Sequence, residues 1–85
     1  MPQYEEVAER VRALIGEMCP LGSREATSGQ RLTEDLGYDS VTFVELALAL
    51  ESEFDLTAID EDSVVDLTTV GDIERLIGEL AVAAA

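Results

Sequence analysis

The chain has 85 residues, 19 acidic and 5 basic side chains, a net charge of −14 and 47% hydrophobic residues. This length leaves room for one domain with one small core, and the composition is typical of a folded protein. The negative charge argues against nucleic acid or an anionic membrane as a partner and favours basic protein surfaces.

Absent residue types exclude several kinds of chemistry. The sequence has no histidine and one cysteine, Cys19, so it offers no Ser-His-Asp triad, no histidine-ligated metal and no internal disulfide. The acids at 60–62 lack the alternating spacing of a calcium loop, and no metal site is predicted. Neither a signal peptide nor an apolar run of transmembrane length is visible. We therefore expect a cytoplasmic binding or carrying module rather than an enzyme.

The N-terminal segment predicts an amphipathic helix over roughly residues 3–18. Its apolar residues recur at helical spacing along one stripe, namely Val7, Val11, Leu14, Ile15 and Met18. Pro20 and Gly22 end the helix, and turn-forming residues predict a long loop over 19–39. We expect Leu21, Leu32 and Leu36 to anchor this loop in the core, and Cys19 to be a half-buried apolar residue.

A second helix is predicted over residues 40–54, with Asp39 as its N-cap. One row of apolar residues has the spacing of a core face: Phe43, Leu46, Ala47, Leu50 and Phe54. A second apolar row, consisting of Val41, Val44 and Leu48, lies roughly 140° around the helix from the first. In so small a chain, we expect this second row to be at least partly exposed.

The C-terminal part predicts a short helix over 60–66 and a last helix over 70–82. Thr69 and Asp72 have the spacing of a capping box at the start of the last helix. Its buried stripe is predicted to comprise Val70, Ile73, Leu76, Ile77 and Leu80. The predicted fold is all-α, a small four-helix bundle with three longer helices and a short third one. Residues 1–85 are expected to form a single domain and a monomer.

Residues 35–46, DLGYDSVTFVEL, resemble the attachment segment of the acyl carrier protein family, the small four-helix proteins that carry phosphopantetheine. The family's Asp-Ser-aliphatic motif matches Asp39, Ser40 and Val41, and its Asp-Leu-Gly lead-in matches residues 35–37. Further matches are Val-Glu-Leu at 44–46, Leu-Glu-x-Glu-Phe at 50–54 and Thr-Thr-Val at 68–70. An isolated Asp-Ser pair is most often only a helix cap, but this resemblance extends from the first helix to about Leu80.

The resemblance implies that Ser40, flanked by Asp39 and Val41, receives 4′-phosphopantetheine from coenzyme A through a separate phosphopantetheinyl transferase. The chain would be a non-catalytic carrier, with its cargo held as a thioester on the arm. Acyltransferases or ligases, ketosynthases and other pathway enzymes would dock through basic surfaces. The residues expected to contact them are Asp35, Val44, Glu45, Leu48, Glu51 and Glu53.

Three positions depart from the family pattern and leave the partner enzymes open. Val41 stands where leucine is frequent, Thr42 where an acid is common, and Asp60 where a proline often precedes the short helix. Tyr38 is expected either to contact the arm or a docked enzyme, or to pack at the junction of loop and helix.

The nature of the cargo also has alternatives. Peptidyl carriers usually have a glycine where Tyr38 stands, and they are less acidic, so an acyl cargo is favoured over an aminoacyl one. Gly-Tyr-Asp-Ser is similar to freestanding carriers of dissociated fatty-acid and polyketide synthases, which implies fatty acid, polyketide or antibiotic biosynthesis. The alternative from another class is an acidic helical interaction domain in which Ser40 is never modified.

Overall fold

The computed structural model describes residues 4–56 and 68–84. These residues form three α-helices: α1 (Tyr4–Glu17), α2 (Ser40–Phe54) and α3 (Val70–Ala84). The described segments contain no strand, only an isolated antiparallel bridge between Arg31 and Thr69. The all-helical class is therefore confirmed. The short helix predicted over 60–66 lies outside the described residues, so the count of four helices is not confirmed.

The core is formed by one face of each helix together with the loop that joins α1 to α2. Its fully buried side chains follow the stripes predicted from the sequence, with Val11 and Ile15 on α1, Leu46 and Leu50 on α2, and Val70 and Ile77 on α3. Met18, Phe54, Leu76 and Leu80 pack against this core and are partly buried. None of the described helices has the length and apolar character needed to cross a bilayer.

The long loop between α1 and α2 is anchored to the start of α3. Leu32 and Leu36 are fully buried, as expected. The backbone N–H of Leu32 donates to the Thr68 carbonyl at 2.9 Å, and the N–H of Val70 donates to the Gln30 carbonyl at 3.0 Å. The predicted capping box is also present, since Thr69 N–H donates to an Asp72 carboxylate oxygen and Asp72 N–H donates to Thr69 Oγ1.

Two predictions about this loop need correction. Leu21 does not anchor it in the core: its side chain is 59% exposed. A tight turn, closed by the Gly22 N–H donating to the Cys19 carbonyl at 3.0 Å, carries Leu21 to the surface. Cys19 is buried rather than half-buried, and its thiol donates to the Leu36 carbonyl at 3.1 Å.

A partly buried ion pair joins α3 to α1. Glu74 is only 5% exposed, and its Oε1 accepts a hydrogen bond from Nη1 of Arg12. Its Oε2 is buried and has no hydrogen-bond partner among the described residues. The apolar residues at helical spacing in the sequence did not predict this ion pair. A buried carboxylate with a single partner makes the stability of the domain depend on the Arg12 side chain.

Candidate functional site

Ser40 is exposed and is the first residue of α2. The residue before it, Asp39, is the N-cap, with an extended backbone at φ −122° and ψ −174°. Thr42 N–H donates to Asp39 Oδ1 at 2.9 Å, and Asp39 N–H donates to Thr42 Oγ1 at 2.7 Å. Thr42 thus takes the place that Glu or Gln usually occupies in a capping box. Ser40 therefore begins a helix whose first turn is capped by reciprocal hydrogen bonds between Asp39 and Thr42.

The electrostatics of this helix start favour a negative group. Hydrogen bonds from the backbone N–H and the hydroxyl of Thr42 lower the pKa of Asp39 below its usual value. Asp39 is therefore ionised at neutral pH, next to the positive end of the helix dipole. Within the described residues, the hydroxyl of Ser40 makes no hydrogen bond and is accessible to an enzyme.

Tyr38 holds the segment that leads into Ser40 against the rest of the fold. It is buried, and its hydroxyl donates to the Ile15 carbonyl in the last turn of α1 at 2.7 Å. Its ring packs on Phe43 with the centroids 5.7 Å apart. Burial raises the pKa of Tyr38 far above its ordinary value, so the hydroxyl remains a donor. Of the two roles considered for Tyr38, the structure supports packing at the junction of loop and helix.

Replacing Tyr38 with Phe is expected to lower the free energy of unfolding by about 1–3 kcal/mol, because the Ile15 carbonyl would lose its donor in a buried position. Urea denaturation followed by circular dichroism measures this loss. Thr33→Val, which removes an exposed hydroxyl from the same loop, is the matched control and should change stability by less than about 0.5 kcal/mol. Equal effects of the two variants would contradict the role given to the Tyr38 hydroxyl.

The second apolar row of α2 is exposed, as predicted from its position on the helix. Val41 is 67% exposed, Val44 37% and Leu48 59%. The opposite face of α2 supplies the buried residues Phe43, Leu46, Ala47 and Leu50. An apolar row therefore runs along the surface from the residue next to Ser40.

The acids predicted to contact partners differ in their surroundings. Glu45 is exposed, and Glu51 is half-buried. Asp35 accepts a hydrogen bond from the Arg31 backbone N–H at 2.7 Å, and Glu53 pairs with Arg10 of α1. Neither pairing was predicted from the sequence. Asp35 also forms an ion pair with the Arg31 side chain, and exposed ion pairs such as these contribute little to stability.

A family model described as a phosphopantetheine attachment site matches residues 9–77. The solved structure of a candidate acyl carrier protein from Mycobacterium tuberculosis is similar, with a TM-score of 0.71 and 33% sequence identity. The match covers 92% of this chain and 96% of that chain. The protein belongs to the acyl carrier protein family, and its prosthetic group is a covalently attached 4′-phosphopantetheine.

Proposed function

We propose that Ser40 is the attachment residue for 4′-phosphopantetheine and that the protein carries acyl groups as thioesters for separate enzymes. The observation that supports this most directly is the placement of Ser40. It is an exposed serine with an unpartnered hydroxyl among the described residues, at the first position of α2 and inside the family match. Helix N-termini present free amides and partial positive charge, so a phosphate ester is favourable there.

The residues around Ser40 position it and do not activate it. Asp39 and Thr42 close the first turn of α2, and Tyr38 ties the preceding backbone to α1. The sequence has no histidine to act as a base, so the transferase must accept the hydroxyl proton when the Ser40 oxygen displaces adenosine 3′,5′-bisphosphate from coenzyme A. Once attached, the arm supplies a terminal thiol that holds the cargo as a thioester.

An acyl cargo is the proposed specificity, and two features support it over an aminoacyl cargo. Tyr38 occupies the position where peptidyl carriers usually have glycine, and its buried ring and hydroxyl contacts make it part of the core. The net charge of −14 suits docking to basic enzymes. We propose that the docking surface comprises Asp35, Val44, Glu45, Leu48, Glu51 and Glu53. Acyltransferases, ligases and ketosynthases are the partner enzymes proposed for it.

The test of this proposal is the intact mass of the apo protein before and after incubation with coenzyme A, magnesium and a promiscuous phosphopantetheinyl transferase. The wild type is expected to gain the mass of one phosphopantetheine, and Ser40→Ala is expected to gain none. Ser52→Ala, which removes an exposed serine from the same helix, is the matched control and should gain the same mass as the wild type.

Two outcomes would contradict the proposal. A wild type that gains no mass, with a transferase active on another carrier, would remove the carrier function and favour the unmodified interaction domain. A mass gain in Ser40→Ala would place the attachment at another residue.

A further inference from the structure

Large hydrophobic side chains are exposed at four positions in the described parts of the chain: Leu21, Val41, Val44 and Leu48. Three of them form the exposed row on α2. The fourth, Leu21, lies in the loop after α1, and the docking surface proposed above does not include it. A single exposed leucine needs no explanation by itself, but this one lies against Gly37, in the segment that leads into Ser40.

The backbone around Leu21 is held by hydrogen bonds. It lies in the tight turn that the Gly22 N–H closes onto the Cys19 carbonyl. The Arg24 guanidinium clamps this turn, since its Nη2 donates to the Leu21 carbonyl at 3.0 Å and its Nε donates to the Gly22 carbonyl at 3.1 Å. A side chain on such a turn loses little backbone freedom when a partner covers it.

The side chain of Leu21 rests against the backbone that leads into Ser40. Gly37 has a φ of +78°, and a Cβ built on it would lie 2.8 Å from Cγ of Leu21. Gly37 precedes Ser40 by three residues, a span of at most about 11 Å for an extended chain. Val41, 67% exposed, follows Ser40 directly. One exposed apolar side chain therefore lies against the segment that precedes Ser40, and another belongs to the residue that follows it.

We propose, on the basis of the proposed attachment at Ser40, that Leu21 is an apolar contact by which the phosphopantetheinyl transferase recognises this protein, in addition to the exposed row on α2. An enzyme that modifies Ser40 must bring its own active site to the serine oxygen, and it therefore covers the surface on both sides of that residue. Enzymes that act on the far end of the arm have no such constraint. The exposed acids Asp35 and Asp39 lie in the same segment. The complementary surface of the transferase is therefore expected to be apolar with a basic rim.

The first test is steady-state transfer kinetics with apo protein as the varied substrate. Leu21→Ala is expected to raise KM by roughly three- to tenfold, the change that corresponds to losing one buried apolar contact. The kcat should stay within about twofold, because Ser40 and the capping residues are untouched. Leu21→Met keeps the apolar volume and should retain most of the wild-type KM. Ala13→Ser, an exposed change on α1, is the control and should leave KM unchanged.

The second test measures binding without transfer. In Ser40→Ala labelled at leucine methyl groups, titration with the transferase and coenzyme A is expected to shift or broaden the Leu21 signals. A wild-type KM for Leu21→Ala together with unperturbed Leu21 methyl groups would overturn the inference. That result differs from a failure of the proposed function, in which the wild type itself would gain no mass under the same conditions.

Discussion

Replacing Arg12 with Met is expected to lower the free energy of unfolding by about 3 kcal/mol or more, because it leaves the Glu74 carboxylate buried without a cation. Glu74 is 5% exposed, one of its oxygens accepts from Arg12, and the other has no partner among the described residues. The methionine keeps most of the volume of the arginine stem, so the loss reports the charge rather than a cavity. Chemical denaturation of both proteins at neutral pH gives the difference.

A double variant separates the charge effect from packing. Arg12→Met combined with Glu74→Leu removes both partners, and it should recover most of the stability lost in the single variant, because no buried charge remains. If Arg12→Met costs less than about 1 kcal/mol, in the range of an exposed ion pair, the pair does not act as a buried contact. The same conclusion would follow if the double variant were no more stable than Arg12→Met.

Replacing Gly16 with Ala is expected to destabilise the protein by about 2 kcal/mol or more, because close-packed backbone cannot accept the added methyl group. A Cβ on Gly16 would lie 2.0 Å from the Arg24 carbonyl oxygen and 3.2 Å from the Ala26 nitrogen. The Gly16 carbonyl also accepts from the Arg24 N–H at 3.0 Å, so the two chain segments are joined where the methyl would stand. Thermal or urea denaturation measures the loss.

The sign of this effect is informative because intrinsic helix propensity predicts the opposite. Within a helix, alanine is favoured over glycine by about 1 kcal/mol, and Gly16 lies within α1. Gly29→Ala is the matched control, since a Cβ there meets nothing within 4 Å. Its effect should be close to neutral. A Gly16→Ala protein as stable as the wild type would show that the loop does not pack on α1 at this point.

Much of the fold was predictable because the relevant signals are local. The apolar stripes of α1, α2 and α3 depend on spacing within one helix, and the predicted ranges agree with the structure to within two residues at each end. The same holds for the helix start at Ser40, where Asp39 acts as the predicted N-cap. The exposure of the row from Val41 to Leu48 followed from the geometry of a helix with two apolar faces in a small chain.

Other features depend on contacts between residues far apart in the sequence. Tyr38 had two possible roles until its hydroxyl was seen to reach the Ile15 carbonyl, 23 residues away. The pairs that engage Asp35 and Glu53 were also not evident, because a charged residue on a predicted helix or loop does not reveal its partner. The family resemblance implied docking roles for these acids but contained no information about their ion pairs within this chain.

The sequence by itself determined the helical class, the positions of the three described helices, the family and the presence of a serine at the first position of α2. Only the tertiary structure decided that Glu74 is buried against Arg12, 62 residues away, and that Leu21 lies on the surface beside Gly37. The physical reason is the range of the interactions. Periodicity and capping act over a few residues, whereas the burial of a charge or the exposure of a leucine depends on how whole segments pack.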